Sequence, residues 1–389
     1  MIPFFHIGKT ECENTLTPEQ RLARRMAHLP EHTGKIAGGT TVERFLSANS
    51  DRTLGLIFDM EFWYGPECWQ RWINALETDG LRDMPNVPAG NQEPEWRQHF
   101  APSPYVTLRG LEHAAETMQA ETWHTAAATQ PVCFSVVVLP RNILADMPRT
   151  LTMEELPRIW ADRHVKVRIF GGGWLHSFNS LADAGCRYDL LDMTDWHGNV
   201  LELGCDRGLM AKACRERGNQ VTWIGMDRNP DALGAARSHM DLAIRADAEA
   251  SLPFSSTLRF DRVVCGDFLE HLAYPWRFLK RLVHWTAPEG LLVASFPNVG
   301  HWSIVDDLLA GRWDETPSGI LCVSHLRFGT RASWQRWLDE SGWQAVCWES
   351  EQLDPPPGWQ ERVPAAGGTL DVDSLKTLRY RLVAKKRTS

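Results

Sequence analysis

The residues best placed to do chemistry lie in the second half of the chain, where acidic side chains close apolar runs and glycines bracket a turn. Asn199 to Gly208 reads Asn-Val-Leu-Glu-Leu-Gly-Cys-Asp-Arg-Gly. Val200, Leu201 and Leu203 have the apolar continuity of a strand buried on both faces, and Gly204 and Gly208 enclose a turn that a ligand can approach closely. Met210 to Arg217 then supplies a helix whose unpaired amides and positive dipole end face that turn. A second apolar run, Val221 to Met226, closes on Asp227, nineteen positions after Gly208. That is about the ~20-residue separation at which an acid at the end of a second strand accepts hydrogen bonds from a ribose. Together these features predict a nucleotide cradle.

The letters decide between ligands. A dinucleotide fingerprint needs Gly-x-Gly-x-x-Gly, and counting from Gly204 the second and third glycines fall on Asp206 and Leu209. A carboxylate at 206 repels a pyrophosphate but suits a ligand carrying an ammonium and a sulfonium. On the acceptor side, His271, His301 and His325 follow later apolar runs, at the carboxyl-end side where open parallel sheets bind ligands. Their reference pKa near neutrality makes them candidate bases or acceptor contacts, and each also reads as a structural histidine. Arg327 is a candidate anion anchor or a plain ion-pair partner.

At these residues the chain resembles the class I S-adenosylmethionine-dependent methyltransferases. Their first motif, Glu/Asp-x-Gly-x-Gly-x-Gly, stands here as Glu202-Leu-Gly204-Cys205-Asp206-Arg-Gly208, with Asp206 in place of the central glycine. The resemblance implies S-adenosylmethionine as cofactor. Glu202 and the loop amides would hold its methionine part, Asp227 its ribose, Asp247 and Ala248 its adenine, with Cys265 and Gly266 ending the fourth strand beside it. Phe260 to Leu272 matches the fourth strand and its Leu-Glu-His-Leu ending. Pro297-Asn-Val-Gly-His-Trp302, Gly311-Arg-Trp313, Gly319-Ile-Leu321 and His325-Leu-Arg-Phe328 look like the series of one subgroup met in surface-polysaccharide contexts, with Cys322 where Asp is usual. By this likeness His301 or His325 is the base, and His271, Trp302 and Arg327 touch a small-molecule, sugar or glycolipid acceptor methylated on oxygen. A scaffold that keeps the fold but binds cofactor weakly through Asp206 is the alternative. The implied fold is α/β, Rossmann-like and seven-stranded, with Thr377 to Ala384 as the terminal antiparallel strand.

Positioning these groups takes one domain, and 389 residues leave room for another. The boundary is expected near residue 180, giving an α/β domain over 1–180 and the methyltransferase-like domain over 181–389. In the first, Thr17-Pro18 starts a helix, Thr53 to Phe58 and Val132 to Leu139 read as strands, and Pro66 to Glu77 as an amphipathic helix. Arg82 to Tyr105, with five prolines, reads as a long loop. Val165 to Phe170 reads as a strand ending at Gly171-Gly-Gly. The order partly resembles the acceptor half of family 2 glycosyltransferases, which would make Asp59, Glu61 and His176 metal ligands if that half were active, although its nucleotide-binding half has no counterpart ahead of Asp59. No metal is expected elsewhere.

Composition narrows the partners. A net charge of −8 offers no footprint for a polyanion, so nucleic acid is not expected. The 18 Trp residues suit core packing better than sugar stacking. Nine cysteines without a close pair imply reduced thiols, and no run approaches transmembrane length, so a soluble cytoplasmic protein is expected.

Overall fold

The computed structural model describes residues 4–6, 17–26, 34–35, 54–57, 62–63, 66–80, 84–90, 107–117, 123–127, 136–140, 163, 165–177, 186–250, 253–359 and 371–387. The chain divides into two compact units, Met1–Ala182 with Asp314–Ser318, and Asp183–Trp313 with Gly319–Ser389.

The second unit is a seven-stranded sheet. Its strands are β1 (Gly198–Leu203), β2 (Val221–Asp227), β3 (Leu242–Arg245), β4 (Phe260–Gly266), β5 (Thr286–Pro297), β6 (Trp343–Gln352) and β7 (Thr377–Lys386). They lie in the order β3-β2-β1-β4-β5-β7-β6. The first five run parallel, while β7 lies antiparallel between β5 and β6. This is the expected Rossmann-like α/β fold with its antiparallel C-terminal strand. Strand order reverses beside β1, between β2 and β4, which places a binding crevice at the carboxyl end of β1.

Side-chain alternation explains why the strands read as continuous apolar runs. Leu201 and Leu203 of β1 enter one core with Val263, Leu292, Phe296 and Trp334. Val200 enters the opposite core with Met210, Trp223, Val264 and Val293. Both faces of the sheet are therefore covered, as parallel sheets require. The tryptophans pack accordingly: Trp223, Trp334 and Trp343 are fully buried. Trp334 stacks on Phe296 at 4.3 Å between ring centroids, and the Trp343 Nε1–H donates to the Leu279 carbonyl.

Several local expectations change. Ahead of β1, helix is confined among the described residues to α1 (Tyr188–Leu191). The turn at Pro288-Glu-Gly290 interrupts pairing without ending the strand: the β4 register passes from Thr286 to Leu291. In the first unit, a strand over Asn86–Gly90 lies within the expected long loop, paired in parallel with Lys166–Ser177, which itself continues through the three glycines. The pairing shows how both are accommodated, because Pro88 opposes Phe170 and Ala89 opposes Trp174, so Gly171 to Gly173 fall within the register shift. Arg168 anchors the pair from a buried position, donating to the Gly80 carbonyl at 2.6 Å. The described strands of this unit form one mixed sheet, with Gly34–Lys35, Phe4–His6, Leu54–Ile57, Val136–Leu139, Asn86–Gly90, Lys166–Ser177 and Phe62–Trp63 in spatial order and Trp123–Ala127 paired antiparallel with Lys166–Ser177. Asp59 and Glu61 lie outside the described residues, and for His176 only the backbone, paired with Trp63, is described.

Candidate functional site

At the carboxyl end of β1 the chain reverses through three left-handed residues, Gly204 at φ 70°, Asp206 at φ 43° and Gly208 at φ 73°. The Gly204 and Cys205 amides donate to the Met226 carbonyl, which ties the turn to β2. A Cβ on Gly204 would come to 3.0 Å from the Phe268 ring, so glycine is required by both conformation and space. Asp206 adopts the left-handed conformation that short polar residues tolerate, and its N–H donates to Asp227 Oδ2 at 3.0 Å. The other Asp227 oxygen accepts from the Asn229 N–H at 2.8 Å. Asp227 thus joins the cradle to the end of β2 and, as a carboxylate with about four lone-pair sites, keeps acceptor capacity for ribose hydroxyls. Gly208 caps the following helix, α2 (Leu209–Glu216), rather than lining the cleft.

Two cavities, of about 200 and 210 Å³, open on either side of this turn and share Gly204 and Asp267 in their walls. Asp227, Asp247, Ala248 and His271 line the first. Glu202, Cys205, Asp206 and Gly266 line the second. Cys265 lies wholly buried beneath, in the core, where desolvation raises its thiol pKa. Glu202 is 8% exposed and accepts a hydrogen bond from Trp223 Nε1 at 2.8 Å. Burial, reinforced by Asp206 and Asp227, pushes its carboxyl up to about 8. A buried acid in that state is a receptor for a cation, and an ammonium group placed in the second cavity would restore its charge.

Sequence reasoning overlooked Asp267, which belongs to both cavities. It follows β4 with φ 47°, a left-handed non-glycine residue like Asp206. Its carboxylate accepts from Arg187 Nη1 at 2.7 Å and from the Ser295 hydroxyl at 2.8 Å. The position directly after Gly266, at the strand end facing the cradle, was the available signal. Phe268, the ring beneath Gly204, was likewise unmarked.

The acceptor-side expectations divide. A 3₁₀ turn over Leu269–His271 follows β4, and His271 and His325 meet edge to face at 4.8 Å between ring centroids. His301 is placed elsewhere: it is fully buried and its Nδ1 accepts the Ser303 N–H as the N-cap of α3 (Trp302–Leu309). Burial lowers its pKa to about 4, and it lines neither of the two cavities, so the structure describes this histidine as a neutral helix cap. Trp302 donates from Nε1 to the Leu353 carbonyl. Arg327 lies over the Tyr274 and Trp276 rings at 5.9 and 5.6 Å. Both side chains are engaged in packing, and neither lines the two cavities described here.

Comparison with known proteins agrees with this geometry. Residues 176–347 match the family model described as a methyltransferase domain. A ubiquinone biosynthesis O-methyltransferase of Alkalilimnicola ehrlichii is 33% identical over 104 residues, 25% of this chain and 41% of the relative. Its counterpart in an Azoarcus species is 30% identical over 135 residues, 32% of this chain and 53% of the relative. The chain therefore spans about half or less of these relatives' length. A solved S-adenosylmethionine-dependent methyltransferase from Archaeoglobus fulgidus is similar at 18% identity over 51% of this chain and 90% of the other, with a TM-score of 0.38. Among the described residues no helix is long and apolar enough to cross a membrane.

Proposed function

We propose that the second unit of this chain is a class I S-adenosylmethionine-dependent methyltransferase domain, and that it methylates a hydroxyl oxygen of a small acceptor of saccharide or glycolipid type. The pair of cavities meeting at Gly204 and Asp267 carries the reading, because one presents acids suited to ribose and adenine and the other a buried acid suited to an ammonium. Glu202 with the Cys205–Asp206 turn would hold the methionine part, Asp227 the ribose, and Asp247 with Ala248 the adenine.

The cofactor supplies a methyl carbon already activated by a sulfonium, so most of the rate enhancement can come from alignment. In this chain the turn at Gly204 and the ion-paired Asp267 orient that group, and the packed Phe268 ring excludes water from one side. The acceptor's proton must leave as the new bond forms, and His271 and His325 are the titratable pair on the side of the first cavity. Oxygen methylation is further supported by the names of the curated relatives, which are O-methyltransferases.

We assign residues 1–180 to a separate domain and ascribe no sugar transfer to it, because both cavities that carry the reading are lined by the second unit alone. Manganese-dependent hydrolysis of a nucleotide sugar that is lost in Asp59→Asn would overturn that assignment. For the methyltransferase domain, calorimetry with S-adenosylhomocysteine should show one tight site, and its absence favours a scaffold. Screening metabolite pools for label transferred from S-adenosylmethionine would then identify the acceptor.

A further inference from the structure

The three side chains Glu270, His271 and His325 bring one ligand atom each within 4.8 Å of one another. Glu270 is fully buried, and neither of its carboxylate oxygens has a hydrogen-bond partner. A buried carboxyl left in that condition costs free energy unless something binds it. The two histidines beside it are oriented for that task. His271 Nδ1 lies 3.3 Å from the Ser324 carbonyl oxygen, and His325 Nδ1 lies 2.9 Å from that of Ile320. A carbonyl oxygen only accepts, so each Nδ1 carries the proton and each Nε2 carries the lone pair. Backbone carbonyls that fix the tautomer in this way are the usual outer-shell partners of metal-ligating histidines.

The scaffold is rigid where it matters. The Glu270 backbone carbonyl accepts from both the Leu326 and Arg327 amides, at 2.8 and 3.0 Å. These bonds hold the segment carrying His325 against the 3₁₀ turn carrying Glu270 and His271. Three ligands drawn from two chain segments are thus held together by main chain, with His271 also in the wall of the first cavity.

We infer that Glu270, His271 and His325 form a binding site for a divalent cation of the zinc class, with its remaining coordination positions turned toward the first cavity. Two imidazoles and one carboxylate favour a borderline ion over magnesium or calcium, which prefer all-oxygen shells. Its role rests on the methyltransferase reading. The acceptor hydroxyl, coordinated to the ion, releases its proton to solvent at neutral pH. The oxygen then bonds to the methyl carbon while the carbon–sulfur bond breaks and its electron pair returns to sulfur. No oxidant or reductant is involved.

The test uses the full-length protein stripped with chelator, titrated by calorimetry with Zn²⁺ and followed by visible absorption with Co²⁺. One equivalent should bind. Glu270→Gln and His325→Ala should each lose more than the ~10- to 100-fold that removing an outer-shell partner costs, whereas His284→Ala, an exposed histidine on the helix Pro275–Trp285, should bind as the parent does. The site is refuted if the parent binds no Zn²⁺, or if both cluster variants bind it unchanged. S-adenosylhomocysteine titrated into the same samples separates the two ideas. Its binding without Zn²⁺ binding refutes the ion site and leaves the methyltransferase reading standing. Zn²⁺ binding without it does the reverse. Retained S-adenosylhomocysteine affinity in Glu270→Gln, the isosteric change, also certifies that lost Zn²⁺ binding reflects a missing ligand rather than a lost fold.

Discussion

The two ends of the crevice in the second unit treat their acids differently. Around β1 and β2, Glu202 accepts from Trp223 and Asp227 accepts two backbone amides, and Asp267, at the very end of β4, is ion-paired with Arg187. After β4, Glu270 is more deeply buried than any of these and accepts nothing through its side chain. Satisfied acids fix a loop in one conformation before a ligand arrives, which suits a cradle for an invariant cofactor. An unsatisfied buried acid keeps its capacity for whatever binds beside it. The acids around the Gly204 turn are complete in themselves, and the carboxyl of Glu270 is arranged to be completed.

The largest expected effect lies at the acceptor end. His325→Ala should lower turnover by ~10²- to 10⁴-fold, whether the imidazole takes the proton itself or holds an ion that does so indirectly. Affinity for S-adenosylhomocysteine should barely move; a joint loss of both would erase the division between the two ends. Next, Asp227→Ala should weaken S-adenosylhomocysteine binding by ~1 to 3 kcal/mol, since a hydrogen-bonded acid is lost together with its hold on the Asp206 and Asn229 amides. Unchanged affinity in calorimetry would remove Asp227 from the ribose site.

His301 supplies the control between the ends. Its folded pKa, lowered to about 4 by burial, lies below the ordinary imidazole value of 6.5, so the folded protein resists protonation that the unfolded chain accepts. The stability it contributes is present above pH 6.5 and is lost as pH falls toward 4. His301→Ala should cost ~0.5 to 2 kcal/mol at neutral pH through loss of the helix cap. It should also flatten the acid limb of the melting-temperature profile, with turnover of the folded fraction intact.

Much of this was legible in the letters, for a physical reason. Strands buried on both faces leave unbroken apolar runs, and a cradle needs glycine where a Cβ would strike Phe268. The acidic ends of β1 and β2 were therefore readable from Glu202, Gly204 and Asp227 alone. What escaped depends on distant partners. His301 has the same letter as His325, and only the Ser303 amide makes it a cap. The strand around Pro88 was masked by its prolines because its support comes from Arg168, eighty-two positions away from Asn86 in sequence. Glu270 sat in a recognised Leu-Glu-His-Leu run, yet nothing in that run reveals that its carboxylate lacks a donor.

Smaller effects sharpen the cofactor end. The Glu202 pKa is raised from 4.5 to about 8, so this group favours the folded state below pH 4.5 and loses that contribution as pH rises through 8. Glu202→Gln should remove this decline from the stability profile. In the parent, binding a cationic ligand beside Glu202 should release a proton near pH 7, detectable by calorimetry in buffers of different ionisation enthalpy. Equal proton release from parent and variant would show that another group titrates. Smallest of all, Asp206→Gly should change S-adenosylhomocysteine affinity by less than ~1 kcal/mol, because φ is already in the region glycine favours and the amide to Asp227 is kept. A large gain would mean that Asp206 impairs the site and would favour the scaffold.

The position of β7 sets the timing of the second unit's assembly. It is the last of the seven strands in sequence, yet it lies between β5 and β6, and among the described residues β6 has no other partner in the sheet. During synthesis the five parallel strands can pair as they emerge, but β5 keeps an open edge and β6 remains unpaired until Thr377–Lys386 leaves the ribosome. Closure of this sheet therefore waits for the last of its strands, and a chain stalled before residue 377 would present an apolar strand edge to its neighbours and to chaperones.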